Sequence, residues 1–124
     1  MEKQILKTKG RMDYDDKYDI LLFKAAGRSY NISTEIDNFV IDRDHENYVT
    51  GIQIFDAAEF FHLPKKALLK IPRWELKTTV NEGRLELRLM FKVKAKQKVM
   101  EKNLILSHTF SKPIPDSELV CEVG

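Results

Sequence analysis

Between residues 19 and 55 the apolar positions fall in short stretches separated by polar turns, with no sustained helical period, and that is the pattern of β-structure. It predicts four strands. An apolar run covers 20–24; Tyr30, Ile32, Thr34 and Ile36 alternate with Asn31, Ser33 and Glu35; Phe39 and Ile41 alternate with Asp42; and 49–55 is the most apolar. Gly27 marks the first turn, and Arg43-Asp44-His45-Glu46-Asn47 closes a hairpin between the third and fourth strands, because asparagine enters the left-handed region more easily than most residues. The period then changes. Asp56-Ala57-Ala58-Glu59 has the form of a capping box, with Asp56 accepting from the backbone at Glu59. A helical segment follows, interrupted by Pro64 and stopped by Pro72, with Ala67, Leu68 and Ile71 on one face.

Alternation returns and is longest over 84–98. Leu85, Leu87, Leu89, Phe91, Val93 and Ala95 form the apolar side; Arg84, Glu86, Arg88, Met90, Lys92, Lys94, Lys96 and Lys98 form the other, as in a strand with one buried and one solvated face. Trp74, Leu76, Thr78 and Val80 alternate ahead of it, and Asn81-Glu82-Gly83 supplies hairpin turn chemistry. A third strand is expected over 104–110, after a turn near Glu101-Lys102-Asn103. Pro113 and Pro115 are expected to end ladder pairing and leave a frayed tail. The predicted fold class is α+β, with antiparallel β-meanders flanking a short, Pro-interrupted helical connector. At 124 residues the chain fits a single domain, in which 12–71 is a meander plus helix, 72–112 a basic meander and 113–124 the tail.

Composition narrows the class. With 43% hydrophobic and 32% charged residues, the chain can bury a core and is neither disordered nor fibrous. The apolar runs are far shorter than a membrane span and no apolar segment follows Met1, so neither membrane crossing nor secretion is expected. The single cysteine, Cys121, cannot form an internal disulfide or a thiolate-rich zinc site, which fits a reducing cytoplasm. The net charge of +2 conceals a division: 65–102 holds 12 Lys/Arg against 4 Asp/Glu, whereas 1–64 holds 8 against 12 and 103–124 holds 1 against 3. A basic block of this kind either meets an anionic partner or faces the acidic part of its own fold.

The stretch 12–61 carries an ordered set of residues: Tyr14-Asp15-x-x-x-Asp19-x-Leu21, then Asp42-x-Asp44, then Gly51-Ile52-Gln53-Ile54-x-Asp56-Ala57-Ala58. In this order it resembles the prokaryotic domain-of-unknown-function family 2283, with Gln53 where the family has an acid, Asn47 where a turn glycine is usual and Ala58 where it has Ser. The resemblance implies a small β-rich domain without an established activity, similar to proteins proposed as antitoxin-like partners of small toxins. It singles out Tyr14, Asp15, Asp19, Asp42, Asp44, Gly51 and Asp56.

Candidate chemistry is sparse. Asp13, Asp15, Asp16, Asp19, Asp42 and Asp44 are hard oxygen ligands, but their spacing is not that of an EF-hand, and carboxylates at strand ends usually close turns; Asp19 is the one expected to find a backbone partner. His45, His62 and His108 form no i, i+4 pair, and His108, in phase with Leu104, Leu106 and Phe110, reads as a hydrogen-bonded core imidazole. No G-x-S-x-G, Gly-rich phosphate loop or Cys–His pairing is present, so no catalytic, cofactor or metal residues are assigned. The sharpest feature is the row Lys92, Lys94, Lys96, Lys98, together with Arg84 and Arg88. Alternate residues lie about 6.6 to 6.8 Å apart, near the spacing of phosphates along a strand. That face carries no aromatic residue for base stacking, and lysines also protect sheet edges. The expected function is therefore a non-catalytic protein-interaction module, a homodimer or a binder of another small protein. Nucleic-acid binding through the 84–98 hairpin ranks second and a small metal-dependent enzyme third.

Overall fold

The computed structural model describes residues 4–124, so the reading made of the segment after Met1 lies partly outside the described residues. In chain order the elements are β1 (Gln4–Asp15), β2 (Ile20–Ala25), β3 (Ile32–Ile36), β4 (Phe39–Arg43), β5 (Val49–Phe55), α1 (Ala57–Phe61), α2 (Lys65–Leu68), β6 (Arg73–Asn81), β7 (Arg84–Ala95), β8 (Lys98–Thr109) and β9 (Ser117–Val123). All nine strands join one sheet, in the order β3-β4-β5-β2-β1-β9-β6-β7-β8, curled into a half-barrel. With 62% strand and 7% helix the protein is mostly β, which corrects the α+β expectation. No helix among the described residues is long and apolar enough to cross a membrane.

Two strands that the hydropathy pattern did not reveal account for the difference. β1 and β9 pair in parallel, Leu6 opposite Leu119 and Thr8 opposite Cys121, and fuse the β2–β5 wing to the β6–β8 wing. The inner face of β1 reads Leu6, Thr8, Gly10, Met12, Tyr14, a mixture too polar and too small to give a clear alternation. Gly10 is part of the packing. A Cβ built there would overlap the Trp74 indole, which is 1% exposed, so the missing side chain is the space the indole fills. At the other end of the chain, Pro113 and Pro115 follow β8, but the chain then returns to the middle of the sheet with Ser117, Leu119 and Cys121 buried. The tail is a central strand.

The core lies on the concave face. Phe23 of β2 meets Trp74 of β6 at 5.0 Å and Phe91 of β7 at 5.6 Å, and Phe61 of α1 meets Phe91 edge-on at 4.9 Å. The buried Thr78 hydroxyl donates to the Val49 carbonyl at 2.7 Å, which ties β6 to β5 across the curl without leaving a polar atom unsatisfied.

Other sequence expectations meet the structure strand by strand. The β4–β5 hairpin forms, Asn47 is left-handed with φ 66°, and β6 and β7 pair through the Glu82-Gly83 turn. The capping box does not form. Asp56 is left-handed at φ 54°, outside the extended backbone usual for a capping residue, and it makes no side-chain cap bond. The Ala58 N–H donates instead to the Asp19 carboxylate at 2.9 Å, so the cap comes from a residue remote in sequence. The turn expected near Glu101-Lys102-Asn103 lies earlier. Lys96 and Gln97, with φ of 52° and 64°, form a two-residue hairpin turn without Asn or Gly, and β8 begins at Lys98.

Candidate functional site

The residues singled out in the sequence fall into two groups, Tyr14, Asp15, Asp19 and Asp56 around the β1–β2 turn and the start of α1, and Asp42, Asp44 and Gly51 at the other end of β4 and β5. Tyr14 donates its hydroxyl to Asp19 at 2.6 Å, and the same carboxylate caps α1, so β1, the β1–β2 turn and the helix share one hydrogen-bonded node. Burial, and then the hydrogen bond and charge of Asp19, push the Tyr14 phenol above its ordinary pKa. The Asp15 carboxylate accepts from the N–H groups of Lys17 and Tyr18 at 3.0 and 3.1 Å and closes that turn. Asp44 is 1% exposed. It accepts from the N–H groups of Glu46 and Tyr48 and from Arg28 at 2.7 Å, while Arg28 also pairs with Glu46 at 3.0 Å and lies over the Tyr48 ring. Asp42 accepts from the Ser33 hydroxyl at 2.7 Å. A Cβ on Gly51 would stand 2.9 Å from Lys24 Cβ, so glycine lets β5 lie close against β2. Asp56 is the left-handed residue before α1. Asp19 thus has the backbone partner expected of it.

Among the described residues no group of three or more His, Cys, Asp and Glu is placed to hold a metal ion. His45 lies in the β4–β5 turn and His62 ends α1 in a left-handed conformation. His108 is half-buried and packs edge-on to Phe110 at 5.1 Å, a ring that also receives the Arg43 guanidinium at 4.9 Å. The imidazole therefore has an aromatic contact where the sequence suggested a hydrogen bond.

The lysine row does not survive as a row. Lys92 and Lys94 lie on the outer face of β7 with Arg84 and Arg88, but Lys96 is in the turn. Lys98 is opposite the buried Ala95, so it starts β8 on the other face of the sheet. Lys92 stands between Arg73 and Glu101 on neighbouring strands, and Arg88 pairs with Glu86 at 2.7 Å. The physical reason is the tight turn at Lys96-Gln97. It reverses the chain before the fourth lysine and sets Glu101 of β8 opposite Lys92.

What remains is the outer face and its edge. Across the sheet the outward side chains run Lys7, Val120, Lys77, Arg88, Ile105, with acidic rows to either side. The twisted surface encloses a trough of about 760 Å³ whose rim includes Lys77, Glu118, Arg88, Met90, Asn103 and Ile105. Lys77 pairs with Glu118 at 3.2 Å, so the trough presents paired charges beside an apolar rim. β8 closes that rim and is the end of the sheet, with Val99 72% and Ile105 65% exposed. Sequence reasoning missed this edge because it placed β7 too far and began β8 too late. The alternation of Met100, Leu104 and Leu106 against Val99, Asn103 and Ile105 is the signal that could have found it.

Over 104 residues the chain is 29% identical to a protein of Methanosarcina mazei provisionally named as a hypoxanthine phosphoribosyltransferase, covering 84% of this chain and 83% of that protein. Over 62 residues it is 36% identical to an uncharacterised protein of Methanocaldococcus jannaschii, covering 50% of this chain and 53% of the relative. No protein-family model matches the chain. No solved structure matches it.

Proposed function

We propose that this chain is a non-catalytic protein-interaction module that binds a small protein, a second copy of itself or a different chain, by strand addition along β8. The observation that carries the reading is the state of that edge. β8 is 12 residues long, contains no proline, follows β7 without a register shift and, among the described residues, has no strand on its far side. Sheet edges are ordinarily kept short, bent or covered, because their free N–H and C=O groups template pairing. The opposite edge, β3, has 5 residues and borders a register shift at Asp42/Arg43. Strand addition gives affinity through main-chain hydrogen bonds and specificity through alternate side chains. The partner expected is a small protein, as the resemblance to antitoxin-like families implies.

The test uses differential capture from extract of the source organism with tagged wild type, Asn103→Pro and a Lys94→Glu/Lys96→Glu double variant. The reading expects a protein retained by wild type and by the double variant and lost with Asn103→Pro. Equal recovery with all three, or recovery of nucleic acid alone, overturns it. The name of the Methanosarcina relative supplies a separate check: turnover of hypoxanthine with a phosphoribosyl donor by the purified chain would replace the non-catalytic reading with an enzymatic one.

A nucleic-acid reading keeps one specific observation, the adjacency of Arg73, Lys92 and Lys94 at one end of the outer face. Three neutralised phosphates would give a slope of about −2.7 for log affinity against log salt. A duplex-binding titration without that slope removes this reading.

A further inference from the structure

We propose that the occupant of the β8 edge is a second copy of this chain, paired antiparallel, β8 against β8, about a two-fold axis at Ile105. This rests on the strand-addition reading and names its partner.

Hairpin geometry fixes which backbone groups are free. Ala95 and Lys98 flank a two-residue turn and therefore exchange hydrogen bonds with each other. Every second residue after Lys98 then turns its N–H and C=O toward β7. The ladder continues in phase to its far end, where the Phe110 N–H donates to the Gly83 carbonyl at 2.9 Å. Val99, Glu101, Asn103, Ile105, Ser107 and Thr109 consequently point their backbone groups away from the sheet, and their side chains lie on its outer face.

An isologous pair must place residue i opposite residue j and j opposite i, so few registers exist, and side-chain chemistry separates them. An axis at Lys102 sets two ammonium groups face to face. An axis at Asn103 puts Glu101 against the exposed Ile105, and one at Leu104 puts Asn103 against it. The axis at Ile105 pairs Ile105 with its own copy on the outer face and Leu104 with Leu106 on the inner one. It also sets Asn103 opposite Ser107 and Glu101 opposite Thr109, which are hydrogen-bonding partners, and it leaves Lys98 beyond the overlap. Only this register is apolar on both faces at its centre and free of an opposed Lys–Lys pair.

The experiment combines solution mass with thiol cross-linking. Cys121 is fully buried, so a cysteine introduced on β8 is the accessible thiol. Directly opposed residues of a hydrogen-bonded antiparallel pair lie about 5.5 Å apart at Cα, within disulfide reach. Ile105→Cys is expected to cross-link under mild oxidation. Val99→Cys, whose counterpart would lie past the end of the partner strand, is not. Wild type is expected at twice 14.5 kDa at tens of micromolar, and Ile105→Lys at 14.5 kDa while still unfolding cooperatively, since the site is exposed in the single chain. A wild-type mass of 14.5 kDa, a dimer indifferent to Ile105→Lys, or equal cross-linking at both cysteines overturns the proposal. A monomer that still captures a different protein in an Asn103-dependent way refutes self-pairing and leaves the interaction module standing. Loss of both defeats the two together.

Discussion

Asp19 and Asp56 exchange the roles that their positions suggest. The α1 cap comes from Asp19, whose carboxylate also receives the Tyr14 hydroxyl, while Asp56 occupies a left-handed position that glycine would fill without strain. Asp19→Ala is therefore expected to cost about 0.5 to 2 kcal/mol in urea melts, and Asp56→Gly to be neutral or slightly stabilising. The reverse ranking would put the cap back at Asp56. Cys121 makes a prediction about pH. Burial pushes its thiol from 9.0 up to about 11, so the folded chain holds the proton longer than the unfolded one. The thiol's contribution to stability is fully present below pH 9 and falls between pH 9 and about 11, as the unfolded state sheds a proton the folded state retains. Melts of wild type and Cys121→Ala at pH 8 and pH 10 check this, with the smaller drop expected for the variant.

Among the elements, those with a strong two-residue period and ordinary turn chemistry were legible in the sequence. β2, β4, β5, β6 and most of β7 fall where apolar residues alternate or cluster, and Ile52, fully buried at the centre of β5, is expected to cost about 2 to 5 kcal/mol on truncation to Ala. A melt of Ile52→Ala matching wild type would mean that β5 does not bear on the core. The β7–β8 turn was not legible, because Lys96 and Gln97 carry none of the residues that favour two consecutive left-handed positions. That one turn misplaced the lysines, hid the β8 edge and suggested a phosphate-spaced row. Replacing Lys96-Gln97 by Asn-Gly is expected to stabilise the hairpin by about 1 kcal/mol in denaturant melts. No gain would indicate a turn of another type.

At the scale of the molecule, the parallel β1–β9 pair was beyond sequence reasoning because neither strand advertises itself. β1 gives up an inner side chain at Gly10 to the Trp74 indole, and β9 follows two prolines that read as an ending. Yet the backbone ladder joins the two wings through this pair alone among the described residues, with the Thr78–Val49 side-chain bond spanning the curl beside it. Leu119→Asp in β9, buried between β1 and β6, is expected to abolish cooperative unfolding, read as a loss of amide-exchange protection in both wings. Protection lost in the β6–β8 wing alone would show that the wings are independent. The position of β9 also orders events in time. During synthesis β1 emerges first and β9 only after all eight other strands, so until Val123 leaves the ribosome the nascent chain carries two half-sheets whose inner edges, β1 and β6, both lack their shared neighbour. Sealing those edges requires contacts distant in sequence. The newborn polypeptide is therefore expected to need shielding of those two edges, by the ribosome or a holdase, until β9 is free to pair.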